Sequence, residues 1–242
     1  MILCVDIGNT NTKVGAFDGD ALLFVFEFAT DGRATGEQIE ILLRHGLDKY
    51  SDDCEISGAI VSSVVPQATR AMVGAIEGVC GVDAELVPLD KGVGADIYCS
   101  VSYVRERVEL PAVVFSLGTA TTMVVVGEKG EIIGGLICAG AMTGLEALAE
   151  KTSSLPMVAA EVPKDGFLAM TTEGAMQSGL VYGTAEMIDG LAERVVRENG
   201  VKTLVMSGGM SRLIGGHVRN EFITVKDIVL KGARVLYGKE KS

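Results

Sequence analysis

A strand that runs into a glycine-containing turn occurs twice in this chain, and this repeat constrains the fold more than any other feature. The apolar run 2–5 precedes the turn 6–13 (DIGNTNTK), and the run 113–115 precedes the turn 116–122 (SLGTATT). Backbone N–H groups and short hydroxyls in such turns can surround a polyphosphate, because glycine adds no side-chain bulk. The repeat predicts a duplicated fold that holds a nucleotide.

The order of elements around the two turns favours an α/β protein with two halves. With 242 residues, 48% hydrophobic content and 31 glycines, the chain can bury one large core or two small ones of about 110 to 130 residues. Sequence identity between the halves is low, so the repeat is inferred from element order and turn chemistry. We predict an N-terminal domain, 1–110, and a C-terminal domain, 111–242.

Apolar periodicity and turn residues place the individual elements. Strands are predicted at 2–5, 13–17, 21–28, 58–61, 85–87, 112–115, 123–126, 131–137 and 203–206. Helices are predicted at 35–45, from Pro66 to Gly81, at 98–108, around 142–148 and at 172–199. Gly46 and Gly200 are expected to cap the first and the last of these helices at their C-terminal ends.

Charge and cysteine usage exclude several classes of partner. A net charge of -11 argues against nucleic acid or an anionic membrane as the main partner, since both require an excess of Lys and Arg. No apolar stretch reaches the roughly 18 residues of a membrane helix, and no basic leader precedes Val5. Five cysteines without a C-x-x-C pair predict reduced thiols and no structural zinc. These features predict a soluble, cytoplasmic protein.

Asp6 is the candidate metal ligand. It stands at the carboxyl end of the first strand, where a carboxylate can face a Mg²⁺ ion that bridges phosphates. Gly8, Asn9, Thr10 and Lys13 follow it and are predicted to contact the phosphates. The alternative is a hairpin in which Asp and Asn satisfy only the turn backbone.

The second half supplies the other predicted nucleotide contacts. Gly118, Thr119, Thr121 and Thr122 would grip the phosphates, although threonine is also an ordinary strand residue. Gly208 and Gly209 follow the strand 203–206 and would allow the backbone to approach an adenine or a ribose. A plain turn is the alternative for this glycine pair.

Asp96 is the candidate general base. A kinase must accept or orient the proton of the attacking hydroxyl, and a carboxylate in a glycine-containing turn beside the γ-phosphate can do this. In isolation, an aspartate after Gly94-Ala95 is more often the N-cap of a helix.

In chain order, these residues resemble the type III pantothenate kinase family, of the acetate and sugar kinase/heat-shock cognate/actin superfamily. The matching motifs are Asp6-Ile7-Gly8-Asn9-Thr10, Ser62-Ser63-Val64-Val65-Pro66, Gly94-Ala95-Asp96, Gly118-Thr119-Ala120-Thr121-Thr122, Gly134-Gly135, Leu155-Pro156, Met176-Gln177-Ser178-Gly179 and Gly208-Gly209. The resemblance implies two ribonuclease-H-like halves with a cleft between them, an obligate dimer, and ATP-dependent phosphorylation of pantothenate, the first step towards coenzyme A.

By position, the resemblance also implies roles for individual residues. Asp6 would assist Mg-ATP, and Asn9 and Thr10 would hold phosphate. Asp96, with Gly94 and Ala95, would contact the acceptor and act as general base, and Thr172 would lie near the acceptor.

The chain departs from the family pattern at three places. Ile97 stands where the family has an arginine that clamps the carboxylate of pantothenate. Ser116 stands where the family has an acidic residue linked to its monovalent cation site, which puts a requirement for K⁺ or NH₄⁺ in doubt. A family tyrosine before the Gly-x-Asp motif is missing from a shortened stretch between Val87 and Gly92.

Three functional hypotheses follow. The first is an active kinase for pantothenate, or for another small hydroxyl compound because of Ile97. The second is a nucleotide-binding regulatory protein that has lost turnover and pairs with another chain. The third, a sugar kinase or phosphatase of the same superfamily, is weaker because the chain lacks insertions that build larger acceptor sites.

Overall fold

The computed structural model describes residues 1–50, 55–88 and 92–239 and contains two five-stranded sheets with the same topology. In each sheet, the first three strands in sequence lie side by side as an antiparallel meander, and the fourth and then the fifth continue the sheet on the other side of the first. Each central strand is antiparallel to the next strand in sequence and parallel to the fourth. The predicted α/β class and the duplication are confirmed.

The first sheet forms as the apolar runs predicted. Its strands are β1 (Ile2–Ile7), β2 (Asn11–Asp18), β3 (Ala21–Ala29), β4 (Gly58–Ser63) and β5 (Ala84–Leu86). Residues alternate between the two faces. Leu3, Val5 and Ile7 of β1 face one core, and Cys4 faces another.

Helices cover both faces of the first sheet. They are α1 (Gly36–Asp48), α2 (Pro66–Cys80), α3 (Ala95–Arg107) and α8 (Ile228–Leu236). Ile39 of α1 and Met72 of α2 belong to the core under Val5. Cys99 of α3 and Leu230 of α8 belong to the core under Cys4.

Two glycines of this unit have roles that the sequence did not assign to them. The helix predicted from Pro66 to Gly81 ends at Cys80, and Gly81 is its cap, with a left-handed φ of 69°. The predicted cap at Gly46 is wrong, because α1 continues to Asp48. Gly46 is a packing residue instead, since a Cβ there would overlap the ring of Phe26.

The second sheet repeats this arrangement. Its strands are β6 (Ala112–Leu117), β7 (Ala120–Val126), β8 (Ile132–Ala139), β9 (Thr203–Ser207) and β10 (Ile223–Thr224). Its helices are α4 (Ala141–Lys151), α5 (Thr172–Ser178), α6 (Thr184–Asn199) and α7 (Ser211–Gly215). A π-helical turn, Gly179–Gly183, joins α5 to α6, so the predicted helix 172–199 is continuous, and Gly200 ends it with φ 62°.

The chain divides into two compact units, residues 1–106 with 228–242 and residues 107–227. Residues 228–242 group with the first unit because α8 packs there. Gly232 of α8 lies so close to Cys99 that a Cβ would overlap its backbone. This grouping differs from the predicted domains at the C-terminal segment, and the domain limits themselves stay a prediction.

Asp189 of α6 is a buried carboxylate that anchors a loop of the second unit. It accepts hydrogen bonds from the backbone N–H groups of Arg219 at 2.7 Å and Asn220 at 3.0 Å, and from the Asn220 amide at 2.7 Å. Burial alone would raise the pKa of Asp189, but these hydrogen bonds and the Arg219 guanidinium hold the pKa below its usual value.

Two expectations from composition can be compared with the described residues. Cys4, Cys80, Cys99 and Cys138 are free thiols, and Cys54 lies outside the described ranges, as does 89–91 of the shortened stretch. No helix in the described part of the chain is both long enough and apolar enough to cross a membrane.

Candidate active site

The turn between β1 and β2 is closed by backbone hydrogen bonds. The N–H of Gly8 donates to the carbonyl of Asn11 at 3.1 Å, and the N–H of Thr30 donates to the carbonyl of Thr10 at 2.9 Å. Asn9 and Thr10 lie exposed at its tip. The turn therefore places the predicted phosphate contacts at the surface on a backbone fixed by its neighbours.

Asp6 lies in a row of polar residues across three strands. It pairs with Lys13 on β2 and with Ser62 on β4, and residues paired in this way share one face of a sheet. Asp6 and Lys13 are half-buried, whereas Ser62 is fully buried. The row lies at the carboxyl end of β1, where α/β sheets place ligands.

Helix α3 brings Asp96 to the same face. The sequence placed Asp96 in a turn before a helix that starts near residue 98, but α3 begins at Ala95 and holds Asp96 in its first turn. Gly94 precedes the helix, and its carbonyl accepts the N–H of Tyr98 at 2.9 Å. The earlier start of α3 has a physical reason, because an acidic side chain in the first turn of a helix is stabilised by the helix dipole.

Cys99 lies one turn further along α3, and several groups of this unit act on the pKa of its thiol. Burial raises its pKa, the Ser62 hydroxyl opposes that rise, and the carboxylates of Asp6 and Asp96 raise the pKa further. Ala95 and Cys99 of α3 pack in one core with Cys4, which lies on the same face of β1 as Asp6, two residues further on. Packing of α3 therefore brings Asp96 to the side of the first sheet that carries Asp6 and Ser62.

In the second unit, the turn after β6 is held by α4. The N–H of Gly118 donates to the carbonyl of Ala120 at 3.1 Å. The Thr119 carbonyl accepts the N–H of Gly140 at 3.0 Å and the hydroxyl of Thr143 at 2.7 Å. Gly118 and Thr119 are exposed, so this turn, like the first, presents a fixed backbone at the surface.

A row of hydroxyls occupies the place in the second sheet that Lys13, Asp6 and Ser62 occupy in the first. Ser116 pairs with Thr122 on β7 and with Ser207 on β9. Thr121 lies on the opposite face, since it pairs with the core residue Leu117 and is itself buried. Of the two predicted threonines on β7, Thr122 shares the face of Ser116.

Gly208 and Gly209 differ in what their positions demand. Gly208 has φ 97°, and a Cβ there would lie 2.6 Å from the carbonyl carbon of Leu117. At Gly209 a Cβ would meet nothing within 4 Å. The Gly208 carbonyl accepts the hydroxyl of Ser211 at 2.7 Å, so Gly208 shapes the turn and Gly209 is the open position.

Thr172 lies in an apolar groove of about 650 Å³ in the second unit. Small residues of α4 and of the helix 172–199 form its floor. They are Gly140, Ala141, Gly144, Ala175, Gly179 and Gly183. Thr172 and Thr184 are the two threonines that line the groove. The groove therefore suits an apolar group that makes few polar contacts.

Asp6 suits a hard divalent cation, which prefers oxygen ligands. The hydroxyl of Ser62, which pairs with Asp6 on β4, is buried beside the Cys99 thiol and has no nitrogen or oxygen partner. Within the described ranges, no three His, Cys, Asp or Glu side chains cluster closely enough to hold a metal ion. The residues fit a Mg²⁺ bound through one carboxylate and the phosphates of a nucleotide, which is a common arrangement for this ion.

Sequence reasoning assigned no role to several hydroxyl residues that the structure brings to these sites. They are Ser62, Thr143, Ser207 and Ser211. Ser62 and Ser207 could have been found, because each follows an apolar strand at the same step of the repeat. Thr143 had no such signal, since only the packing of α4 brings it to Thr119.

Comparison with known proteins agrees with this arrangement. A model of the type III pantothenate kinase family matches residues 2–194. A type III pantothenate kinase from Dictyoglomus turgidum is 34% identical over 257 residues, covering 99% of each chain. Another, from an Exiguobacterium strain, is 31% identical over 255 residues, covering 100% of each chain.

The solved structures agree at the level of the fold. The ROK hexokinase of Thermus thermophilus has a TM-score of 0.54 and 14% identity, with 97% of this chain and 96% of that chain covered. At this identity the likeness shows the actin-like ATPase and sugar kinase fold, and the sequence matches show the family. The chain belongs to the type III pantothenate kinase family.

Proposed function

We propose that this protein transfers the γ-phosphoryl group of ATP to the hydroxyl of pantothenate, the first step of coenzyme A biosynthesis. The observation that carries the proposal is the packing of α3, through Ala95 and Cys99, on the face of β1 that carries Cys4 and Asp6, which places Asp96 on that side of the sheet. Phosphoryl transfer needs a carboxylate toward the metal and a second one toward the attacking hydroxyl. The first unit supplies both.

Each residue of the first unit has a distinct task in this proposal. Asp96 accepts the proton of the acceptor hydroxyl while the oxygen of that hydroxyl attacks the γ-phosphorus of ATP. Gly94 and Ala95 leave room for the acceptor beside Asp96. Asn9 and Thr10 donate to phosphate oxygens, and Gly8, which has no side chain, leaves room for the phosphates beside them. Lys13 contributes positive charge in the row that contains Asp6.

The second unit supplies neutral donors. Gly118, Thr119 and Thr122 contact phosphate, and Gly209 approaches the nucleoside. Thr121 faces the core, so we assign it a role in packing against Leu117. A Mg²⁺ ion near Asp6 would offset the charge that develops on the transferred group.

A requirement for a monovalent cation is not part of the proposal. Ser116 lies between Thr122 and Ser207, and none of the three carries a charge. We expect these neutral hydroxyls to bind K⁺ or NH₄⁺ only weakly. The same hydroxyls can instead donate hydrogen bonds to phosphate oxygens. We therefore expect transfer without either cation.

Ile97 favours a second candidate function. It follows Asp96 in the first turn of α3 and is half-buried, so it offers no cation to a carboxylate. Two outcomes are consistent with this residue: a small hydroxyl acceptor without a carboxylate, or a nucleotide-binding regulator without turnover. The cytoplasmic location and the lack of nucleic-acid partners stay predictions.

Phosphotransfer from ATP to pantothenate and to pantothenamides, its neutral amides, distinguishes these functions. We expect product at an ordinary enzymatic rate, on the order of 1 per second, unchanged when sodium replaces potassium or ammonium. Transfer to the neutral amides alone would identify a different acceptor. ATP binding without transfer to any acceptor would support the regulator and contradict the proposed kinase.

We further propose that the protein is a homodimer that uses the apolar groove. Beside it, the segment 157–170 carries large apolar side chains that are exposed. They are Met157, Val162, Phe167, Leu168 and Met170. A surface with both a groove and protruding apolar side chains can pair with a copy of itself about a two-fold axis.

Introducing charge at this surface is expected to separate the copies. Leu168 and Met170 are 81% and 96% exposed, so Leu168→Asp/Met170→Asp should leave each chain folded and desolvate charge only in the dimer. Light scattering should give twice the 25.3 kDa of one chain for the wild type and 25.3 kDa for the variant. Val196→Asp, at an exposed position of α6, is the control. A monomeric wild type would contradict the homodimer. So would a wild type that reaches a larger mass only when it binds a different protein.

A further inference from the structure

Ser62 is a buried polar group to which the proposed reaction assigns no task. Its side chain is 0% exposed, and the group beside its hydroxyl is the Cys99 thiol, since no nitrogen or oxygen atom hydrogen-bonds to it. Sulfur is a weak hydrogen-bond partner, so this buried hydroxyl is poorly satisfied, which is destabilising. A serine here needs a reason beyond packing.

The position of Ser62 supplies that reason. It is the β4 residue paired with Asp6 of β1, so the two side chains project from adjacent strands on one face. Neighbouring Cβ atoms in such a pair lie about 5 Å apart. Rotation about the Cα–Cβ bond of serine moves its hydroxyl between three staggered positions, so the hydroxyl can reach the neighbouring carboxylate.

The repeat offers an independent observation. Ser207 on β9 pairs with Ser116 on β6 just as Ser62 pairs with Asp6, and it is 3% exposed. Both units therefore keep a buried serine beside the next-to-last residue of the central strand, although that residue is charged in one unit and neutral in the other. Ser63, the next residue of β4, differs, because its hydroxyl accepts hydrogen bonds from the N–H of Val65 at 3.0 Å and from the hydroxyl of Thr69 at 2.7 Å.

We propose that Ser62 is a positioning residue, whose hydroxyl donates to the Asp6 carboxylate when Mg-ATP is bound and fixes the orientation of that carboxylate. The inference rests on the proposed use of Asp6 toward Mg-ATP. Hydrogen bonds to a ligating carboxylate orient it and strengthen the site. In this arrangement Ser62 acts through Asp6 and does not touch the substrate.

The test measures binding of Mg-ATP by calorimetry, with thermal unfolding measured on the same samples. Ser62→Ala should weaken binding of Mg-ATP about tenfold, leave binding of ATP in EDTA unchanged, and leave Tm equal or higher because a buried hydroxyl with only a sulfur partner is removed. Ser62→Thr keeps the hydroxyl and should restore the affinity. In the background of Asp6→Asn, Ser62→Ala should have no further effect on Mg-ATP binding.

Ser63→Ala is the matched control and should lower Tm without a change that depends on Mg²⁺. Equal Mg-ATP affinity in Ser62→Ala and wild type would overturn the inference, as would equal losses with and without Mg²⁺. Because binding is measured apart from turnover, a wild type that binds Mg-ATP but transfers to no acceptor overturns the proposed function alone. A wild type that binds no Mg-ATP overturns both.

Discussion

Asp96→Asn is expected to reduce kcat for phosphotransfer by about 10²- to 10⁴-fold, the usual contribution of general base catalysis. Asparagine has nearly the same shape and can occupy the first turn of α3, but its amide cannot accept a proton from the attacking hydroxyl. The affinity for Mg-ATP should stay within about twofold, because the proposed role of Asp96 concerns the acceptor. Steady-state kinetics and calorimetry on the same preparation check both expectations.

Glu106→Gln is the matched control for this variant. Glu106 lies near the other end of α3 and forms an ion pair with Lys239, so its loss removes one carboxylate from the same helix without touching the proposed site. An exposed ion pair contributes little to stability, and kcat should be unchanged. A kcat for Asp96→Asn close to that of wild type would remove Asp96 from the role of base.

Gly208→Ala is expected to destabilise the protein by about 3 kcal/mol or more, since it combines a strained backbone with a clash. The residue has φ 97°, and the added Cβ would meet the backbone of Leu117, which cannot move without disturbing the pairing of β6. For a chain of this size, that loss corresponds to a fall in Tm of about 6 to 12 °C. Thermal unfolding followed by circular dichroism measures it.

Gly209→Ala separates the structural role of this glycine pair from its proposed contact with the nucleotide. A Cβ at Gly209 meets no atom within 4 Å, so Tm should stay within about 2 °C of wild type, as for most surface substitutions. If the nucleoside approaches Gly209, the affinity for ATP should nevertheless fall. An unchanged affinity for ATP would limit the role of Gly208 and Gly209 to forming the turn, which was the alternative that the sequence left open.

Secondary structure was predictable where the local sequence pattern is itself the reason that the strand or the helix end forms. The apolar runs at 2–5 and 112–115 became the central strands β1 and β6, because a buried parallel strand needs little beyond continuous hydrophobicity. The left-handed cap at Gly200 was predictable for a similar reason, since glycine adopts that conformation at low cost. At Gly46 the same signal misled, because the ring of Phe26 required the absence of a side chain.

The candidate site was predictable in part. Asp6 and Gly118 stand in turns that any reading of the repeat would select, and the family match carries the same motifs. Ser62, Thr143 and the opposite orientations of Thr121 and Thr122 were not predicted. These depend on strand register and on how α4 packs, which a local pattern does not encode.

The amino-acid sequence by itself determined the duplication, the α/β class and the two glycine turns, because these follow from hydrophobic period and backbone freedom within a few residues. Only the tertiary structure decided that Lys13, Asp6 and Ser62 form a row on three strands, that α3 brings Asp96 to its face, and that α8 returns to the first unit. Contacts between residues far apart in sequence depend on register and packing, where a shift of one residue turns every side chain of a strand to the other face.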